Sequence, residues 1–157
     1  ASLVNSLPAS ENPKEEKPSV GKNHLVSQAK ILVLEDEVLL ATSIQRALEM
    51  SKMNVTVCHT GTSAVELVQQ ACHDNQSFQL VLVDLMLDGK LDGLEAFQKM
   101  KKISADLQGI VMSGYAQSPI MANFETYGFA ARLAKPFKIE TMIQNIDSIL
   151  GGTNSHG

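Results

Sequence analysis

Four short stretches carry side chains suited to handling a phosphoryl group: Glu35-Asp36-Glu37, Asp84, Ser113-Gly114 and Lys135-Pro136-Phe137. Each follows an apolar run: "KILVL", "LVLV", "GIVM" and "AARLA". A carboxylate at the end of a buried run can cap a turn, ligate a metal or act as a nucleophile. Acidic groups brought together repel, so a cation is expected among Glu35, Asp36 and Asp84. All-oxygen donors favour a hard cation, Mg²⁺ or Mn²⁺. A lysine and a hydroxyl beside them complement a bound anion. Carboxylates, a hard cation, lysine and serine together make a phosphoryl site, where positioning and charge neutralisation do most of the catalysis. Asp84 can itself be the nucleophile, giving an aspartyl phosphate.

The elements that must position these groups are legible in the periodicity. Residues 30–35, 54–59, 80–84, 109–113 and 130–134 read as short strands rich in Val, Ile and Leu. The second is more alternating, as expected nearer a sheet edge. Helical spacing occupies 38–50, 61–74, 93–103 and 139–150, with a short, weak helix over 119–127. Thr60 and Asp92 are placed to cap helices, Asp92 with Glu95 three residues on, and Gly151 to stop the last one. A five-fold strand–helix alternation implies a parallel sheet covered on both faces. Right-handed crossovers then give an α/β, flavodoxin-like, doubly wound (βα)5 fold, with its five-stranded parallel sheet in the order 2-1-3-4-5. Such a sheet binds ligands beyond the carboxyl ends of its strands. All four stretches would converge there.

Composition sets the outer bounds. The chain has 157 residues, 44% hydrophobic and 19% charged, which suits one soluble domain with tails. A net charge of −4 gives no bulk attraction to nucleic acid or an anionic membrane. No apolar run approaches the roughly 20 residues that span a bilayer. No charged-then-apolar leader opens the chain, which argues against secretion. Cys58 and Cys72 lack metal-ligand spacing and read as reduced thiols of a cytoplasmic protein. Residues 1–29, with prolines and mixed charge, read as a linker or flexible tail; 30–150 is the folded unit, and 151–157 a second tail.

The segments "LVLEDE", "LVLVDLMLDGKLDGLEAF", "VMSGYA" and "LAKPF" occur in that order, each at the end of a successive strand of the proposed mouth. In this the chain resembles the receiver domain of two-component response regulators. The loop after Asp84 and the stretch from Ser113 to Phe137 look like receivers attached to hybrid sensor histidine kinases. The resemblance implies that Asp84 is the phosphoacceptor, Asp36 a direct metal ligand and Glu35 its longer-reach neighbour. It implies that Met86 offers its backbone carbonyl to the metal, Ser113 a hydroxyl to a phosphoryl oxygen and Lys135 a pairing charge. It implies a cis bond between Lys135 and Pro136, which X-Pro tolerates far better than other pairs. The partner would be a histidine kinase or histidine phosphotransfer domain. A face around helix 4, strand 5 and helix 5 would switch between two states, and could also pair two copies. Such a domain is not a conventional enzyme, although it catalyses its own phosphorylation and dephosphorylation.

Two departures stand out. Arg132 occupies the position, three residues before the lysine, where receivers often carry an aromatic ring. Asp88 stands where the loop commonly has proline, and Asp92-Gly93 comes one residue late. Both leave room for a second reading, a protein-interaction module that keeps the fold without phosphate signalling. A third reading, a phosphatase with an aspartate nucleophile, would want a second Asp at position 86, where Met stands. His24, His59, His73 and His156 read as structural or solvated rather than as phosphoacceptors.

Overall fold

The computed structural model describes residues 28–87 and 92–151. The two expected tails fall almost wholly outside the described residues, as does Asp88 in the loop after Asp84. Among the described residues, five strands and five helices alternate: β1 Lys30–Leu34, α1 Val38–Met50, β2 Asn54–Cys58, α2 Gly61–His73, β3 Leu80–Asp84, α3 Gly93–Ile103, β4 Gln108–Ser113, α4 Pro119–Ala122, β5 Ala131–Ala134 and α5 Ile139–Leu150. The strands form one sheet in the order β2-β1-β3-β4-β5, all neighbours parallel. Among the described residues, no helix is long and apolar enough to cross a membrane.

The alternation of strand side chains sorts the core into two layers. Ile31, Val33, Leu80, Leu82, Ile110 and Met112 meet Ile44 and Leu48 of α1 and Met142 and Ile146 of α5. Leu32, Leu34, Val81, Val83 and Val111 meet Ala64 and Val68 of α2, Phe97 and Met100 of α3 and Met121 of α4. The central strand β3 is buried along its whole length, with Asp84 included. Each fully buried Val, Leu or Ile contributes about 1.5–3 kcal/mol, so register in β1 and β3 is strongly enforced. The edge strands β2 and β5 are less buried.

The expected caps form. Thr60 Oγ1 accepts from the Ser63 N–H at 3.1 Å, and Asp92 Oδ1 from the Glu95 N–H at 2.7 Å. Gly151 closes α5, its N–H donating to the Asp147 carbonyl at 2.7 Å. The short helix after β4 is shorter than its sequence pattern predicts. It spans Pro119–Ala122, started by the Ser118 hydroxyl, and then gives way to consecutive turns. Those turns close on themselves through Thr126 N–H to Asn123, Tyr127 N–H to Phe124 and Gly128 N–H to Glu125. Gly128, at φ 92°, reverses the chain into β5 in a conformation few other residues adopt.

Candidate phosphoryl site

The mouth of the sheet is built by strand ends. Hydrogen-bonded register places Leu34 beside Val83 and Asp84 beside Met112, so the residues that follow β1, β3 and β4 leave the sheet together. Glu35, Asp36 and Asp84 meet there, their carboxylate oxygens within 4.8 Å of one another. Lys135 reaches in from the end of β5. Its Nζ lies 2.7 Å from Glu35 Oε1 and 3.3 Å from Asp84 Oδ2. The Lys135–Pro136 peptide is cis, and the Lys135 N–H donates to the Ser113 carbonyl at 2.8 Å.

Glu35 is the most enclosed of the acids. Burial pushes its carboxyl up to about 7 from 4.5; Lys135 and the Glu37 N–H oppose the rise, and neighbouring Asp84 adds to it. The Glu37 N–H donates to Glu35 Oε2 at 3.1 Å. Burial also disfavours the Lys135 ammonium, but the Glu35 hydrogen bond and the charges of Asp84 and Glu35 outweigh it and hold the amine above its usual range. The lysine is therefore a fixed cation balancing two buried carboxyl groups. A hard cation fits the donor set of Glu35, Asp36 and Asp84 on the same ground: they are closely spaced oxygen ligands that gain from added positive charge.

Asp84 is aimed by its own loop. Its Oδ1 accepts from the Met86 N–H at 3.0 Å, and the Leu85 N–H donates to the Met112 carbonyl at 3.0 Å. Ser113 is buried beside it on β4, its Oγ accepting from the Tyr115 N–H at 3.0 Å. Met86, Ser113 and Tyr115 share a cavity of about 230 Å³ with Leu85, Asp92 and Leu94. The side chains of Met86 and Tyr115 stand out from it, 55% and 65% exposed.

The structure thus brings together Glu35, Asp36, Asp84 and Lys135 by side chain, and sets Ser113 and Met86 at the same mouth. Glu37, the third acid of the first stretch, is the residue that caps α1, using no side-chain hydrogen bond. Two residues beside the site carried too little sequence signal. A Cβ at Gly93 would overlap the Asp84 carbonyl oxygen, so only glycine lets α3 begin this close to the end of β3. The Asp92-Gly93 pair at a helix start is the trace it leaves. His59, read as a strand-end histidine, places Nδ1 2.8 Å from the Glu35 carbonyl oxygen. Cys58 beside it is buried, its thiol pushed up to about 12, and so is a poor nucleophile. Arg132, at the departure from the usual aromatic, donates through Nη1 to the Met121 carbonyl at 2.8 Å and lies 5.4 Å over the Phe124 ring.

The profile of the response regulator receiver domain family matches residues 31–147, and the chain belongs to that family. It is therefore a receiver domain of two-component signalling, a class that works with histidine kinases or phosphotransfer proteins and is generally not a conventional enzyme. It is 30% identical over 120 residues to the uncharacterized transcriptional regulatory protein YkoG of Bacillus subtilis, covering 76% of this chain and 50% of that one. It is 27% identical over 152 residues to the peroxide stress-activated histidine kinase mak3 of Schizosaccharomyces pombe, covering 93% of this chain and 6% of that one. The chain thus spans about half of the first relative and a small part of the second. The receiver domain of the sensor histidine kinase PA1611 from Pseudomonas aeruginosa, solved with magnesium in its active-site cleft, superimposes with a TM-score of 0.68 at 25% identity, covering 79% of this chain and 98% of that one.

Proposed function

We propose that Asp84 accepts a phosphoryl group from a phosphohistidine on a partner kinase or phosphotransfer domain, or from a small acyl phosphate. The observation that carries the reading is the meeting of Glu35, Asp36, Asp84 and Lys135 at one mouth. In the transfer, an Asp84 carboxylate oxygen forms a bond to phosphorus while the bond from phosphorus to the donor nitrogen or oxygen breaks. The donor leaves with that electron pair, as imidazole or as carboxylate. Asp84 presents Oδ2 toward Lys135 while the Met86 N–H holds Oδ1, so the carboxylate enters the reaction already oriented. The Lys135 ammonium then pairs with the phosphoryl oxygens, and Ser113 offers its hydroxyl to one of them.

A divalent cation, Mg²⁺ or Mn²⁺, would be held by Glu35, Asp36 and Asp84 with the Met86 carbonyl, and would supply neutralisation of the phosphoryl charge. The magnesium in the PA1611 receiver domain supports this assignment. The output is a change in the surface formed by α4, β5 and α5, which partners or a second copy would read. The reading places the domain in the cytoplasm, where phosphohistidine donors act.

The test is incubation with Mg²⁺ and acetyl phosphate, followed by intact-mass measurement. A gain of one phosphoryl group, lost in Asp84→Ala and on chelation of the metal, is the expected result. A protein that gains no mass, or keeps the gain in Asp84→Ala, is not a phosphoacceptor at this residue. In that case the interaction-module reading would hold.

A further inference from the structure

We propose that His59 is a positioning residue of the acidic mouth: its Nδ1–H holds the Glu35 carbonyl and so sets the peptide plane that presents Asp36. The inference rests on the phosphoryl-site reading above and names a residue that reading does not use.

The β1–β2 ladder pairs Lys30 with Asn54 through Leu34 with Cys58. One more backbone bond follows, from the Glu35 N–H to the Cys58 carbonyl at 3.1 Å. In a continuing parallel ladder the Glu35 carbonyl would next accept from the N–H of residue 60. The chain turns instead: Thr60 caps α2, its hydroxyl accepting from Ser63. The His59 imidazole takes over as donor, with Nδ1 2.8 Å from the Glu35 oxygen. Both backbone groups of Glu35 are thereby held from β2, one by main chain and one by side chain.

A carbonyl oxygen only accepts, so the proton sits on Nδ1 of His59. This fixes the tautomer of the neutral ring and leaves Nε2 as its acceptor. The consequence for the site follows from planarity. The Glu35 carbonyl and the Asp36 N–H belong to one rigid peptide unit. Holding its oxygen limits rotation about the bonds flanking the unit, and so limits where the Asp36 Cα and carboxylate stand. The Glu37 N–H, bonded to Glu35 Oε2, holds the following turn from the other side. Without His59 the unit keeps its sequence but loses this anchor toward β2. Partners that orient metal ligands from one shell out typically contribute a factor of about 10–100 in affinity.

Three variants separate positioning from mere packing. His59→Asn keeps a donor close to the Nδ1 position, His59→Gln moves the donor one bond further out, and His59→Leu removes it at similar volume. Two measurements are made on the metal-free protein. Imidazole ¹⁵N spectra at about pH 8.5, above the usual His pKa of about 6.5, should show His59 protonated at Nδ1. Amide spectra should show Asp36 and Glu37 displaced in His59→Leu and returned toward their wild-type positions in His59→Asn. The third measurement is Mg²⁺ titration, with an expected loss of about 10-fold in His59→Leu and His59→Gln, and recovery in His59→Asn. An Nε2–H tautomer, or an Asn variant no better than Leu, overturns the proposal. If His59→Leu does not fold, the Asn–Gln contrast and the wild-type tautomer decide. Failure of the wild-type protein to bind Mg²⁺ or to be phosphorylated would count against the phosphoryl-site reading, while the metal-free spectra would still decide for or against His59.

Discussion

Lys135 Nζ sits 2.7 Å from Glu35 Oε1, an ion pair that joins the end of β5 to the end of β1 across 100 residues of sequence. The same ammonium lies 3.3 Å from Asp84 Oδ2 at the end of β3. Its electrostatics have a direct consequence for stability.

Glu35 is held at about 7 in the folded chain against 4.5 ordinarily, mainly by burial. A raised carboxyl pKa favours the folded state while the group is protonated, at pH below about 4.5, and that contribution is lost as pH rises through about 7. The raised Lys135 pKa also favours the fold, but its contribution is constant below the ordinary 10.5 and is lost only above it, so it does not vary in this window. Metal-free urea unfolding from pH 5 to pH 8 should therefore show the wild type losing stability relative to Glu35→Gln. A wild-type-minus-variant difference that stays constant over that range would refute the assignment.

Removing the ammonium should separate metal binding from phosphoryl transfer. In Lys135→Ala, Glu35 and Asp84 lose the ammonium that neutralises them beside Asp36, so Mg²⁺ at about pH 8 should bind at least as tightly as in the wild type. On the proposed reading the rate of phosphorylation by acetyl phosphate should fall by about 10-fold or more, since the charge that would pair with the phosphoryl oxygens is gone. Calorimetry and intact-mass kinetics check the two halves independently.

Met86 and Tyr115 stand exposed at the rim of the cavity that includes Ser113. The Tyr115 ring should hinder water approaching the aspartyl phosphate. Tyr115→Ala is expected to shorten the phosphorylated lifetime by several-fold with little effect on unfolding. An unchanged decay rate removes this role.

Gly93→Ala should be costly in two ways. Its Cβ meets the Asp84 carbonyl, a backbone atom that cannot rotate aside. Overpacking of this kind costs about 1–3 kcal/mol, and here the displaced element carries Asp84, the proposed acceptor. Lower urea midpoints with slower phosphorylation are expected, while an Ala substitution at open Gly114, with nothing near its Cβ, should leave the fold intact.

Arg132 should anchor α4. Its guanidinium bonds the Met121 carbonyl and lies over Phe124. The two contacts together contribute about 1–2 kcal/mol. Hydrogen exchange in Met121–Thr126 should accelerate in Arg132→Ala, and Arg132→Lys should restore little, because an ammonium lacks the planar stacking face. Equal protection in all three proteins would show that the segment holds itself.

The sequence alone determined the alternation of strands and helices, the parallel order 2-1-3-4-5, and the four chemistry-bearing stretches at successive strand ends. These are legible because apolar periodicity and capping residues such as Thr60 and Asp92 are local properties, read within a window of a few residues. Boundaries moved by a residue, and the helix after β4 closed at Ala122 because Asn123 to Gly128 form their own turns. What tertiary structure decided is which groups touch. The Lys135–Glu35 pair, the Arg132–Met121 bond, the exclusion of any Cβ at Gly93 and the seat of His59 under the Glu35 carbonyl all depend on strand register. Register is set by burial on both faces of a twisted sheet, a sum over many side chains that no single stretch records. A histidine at a strand end has the same local sequence whether it meets water or a carbonyl. Only the pairing of Leu34 with Cys58 brings His59 to the Glu35 carbonyl.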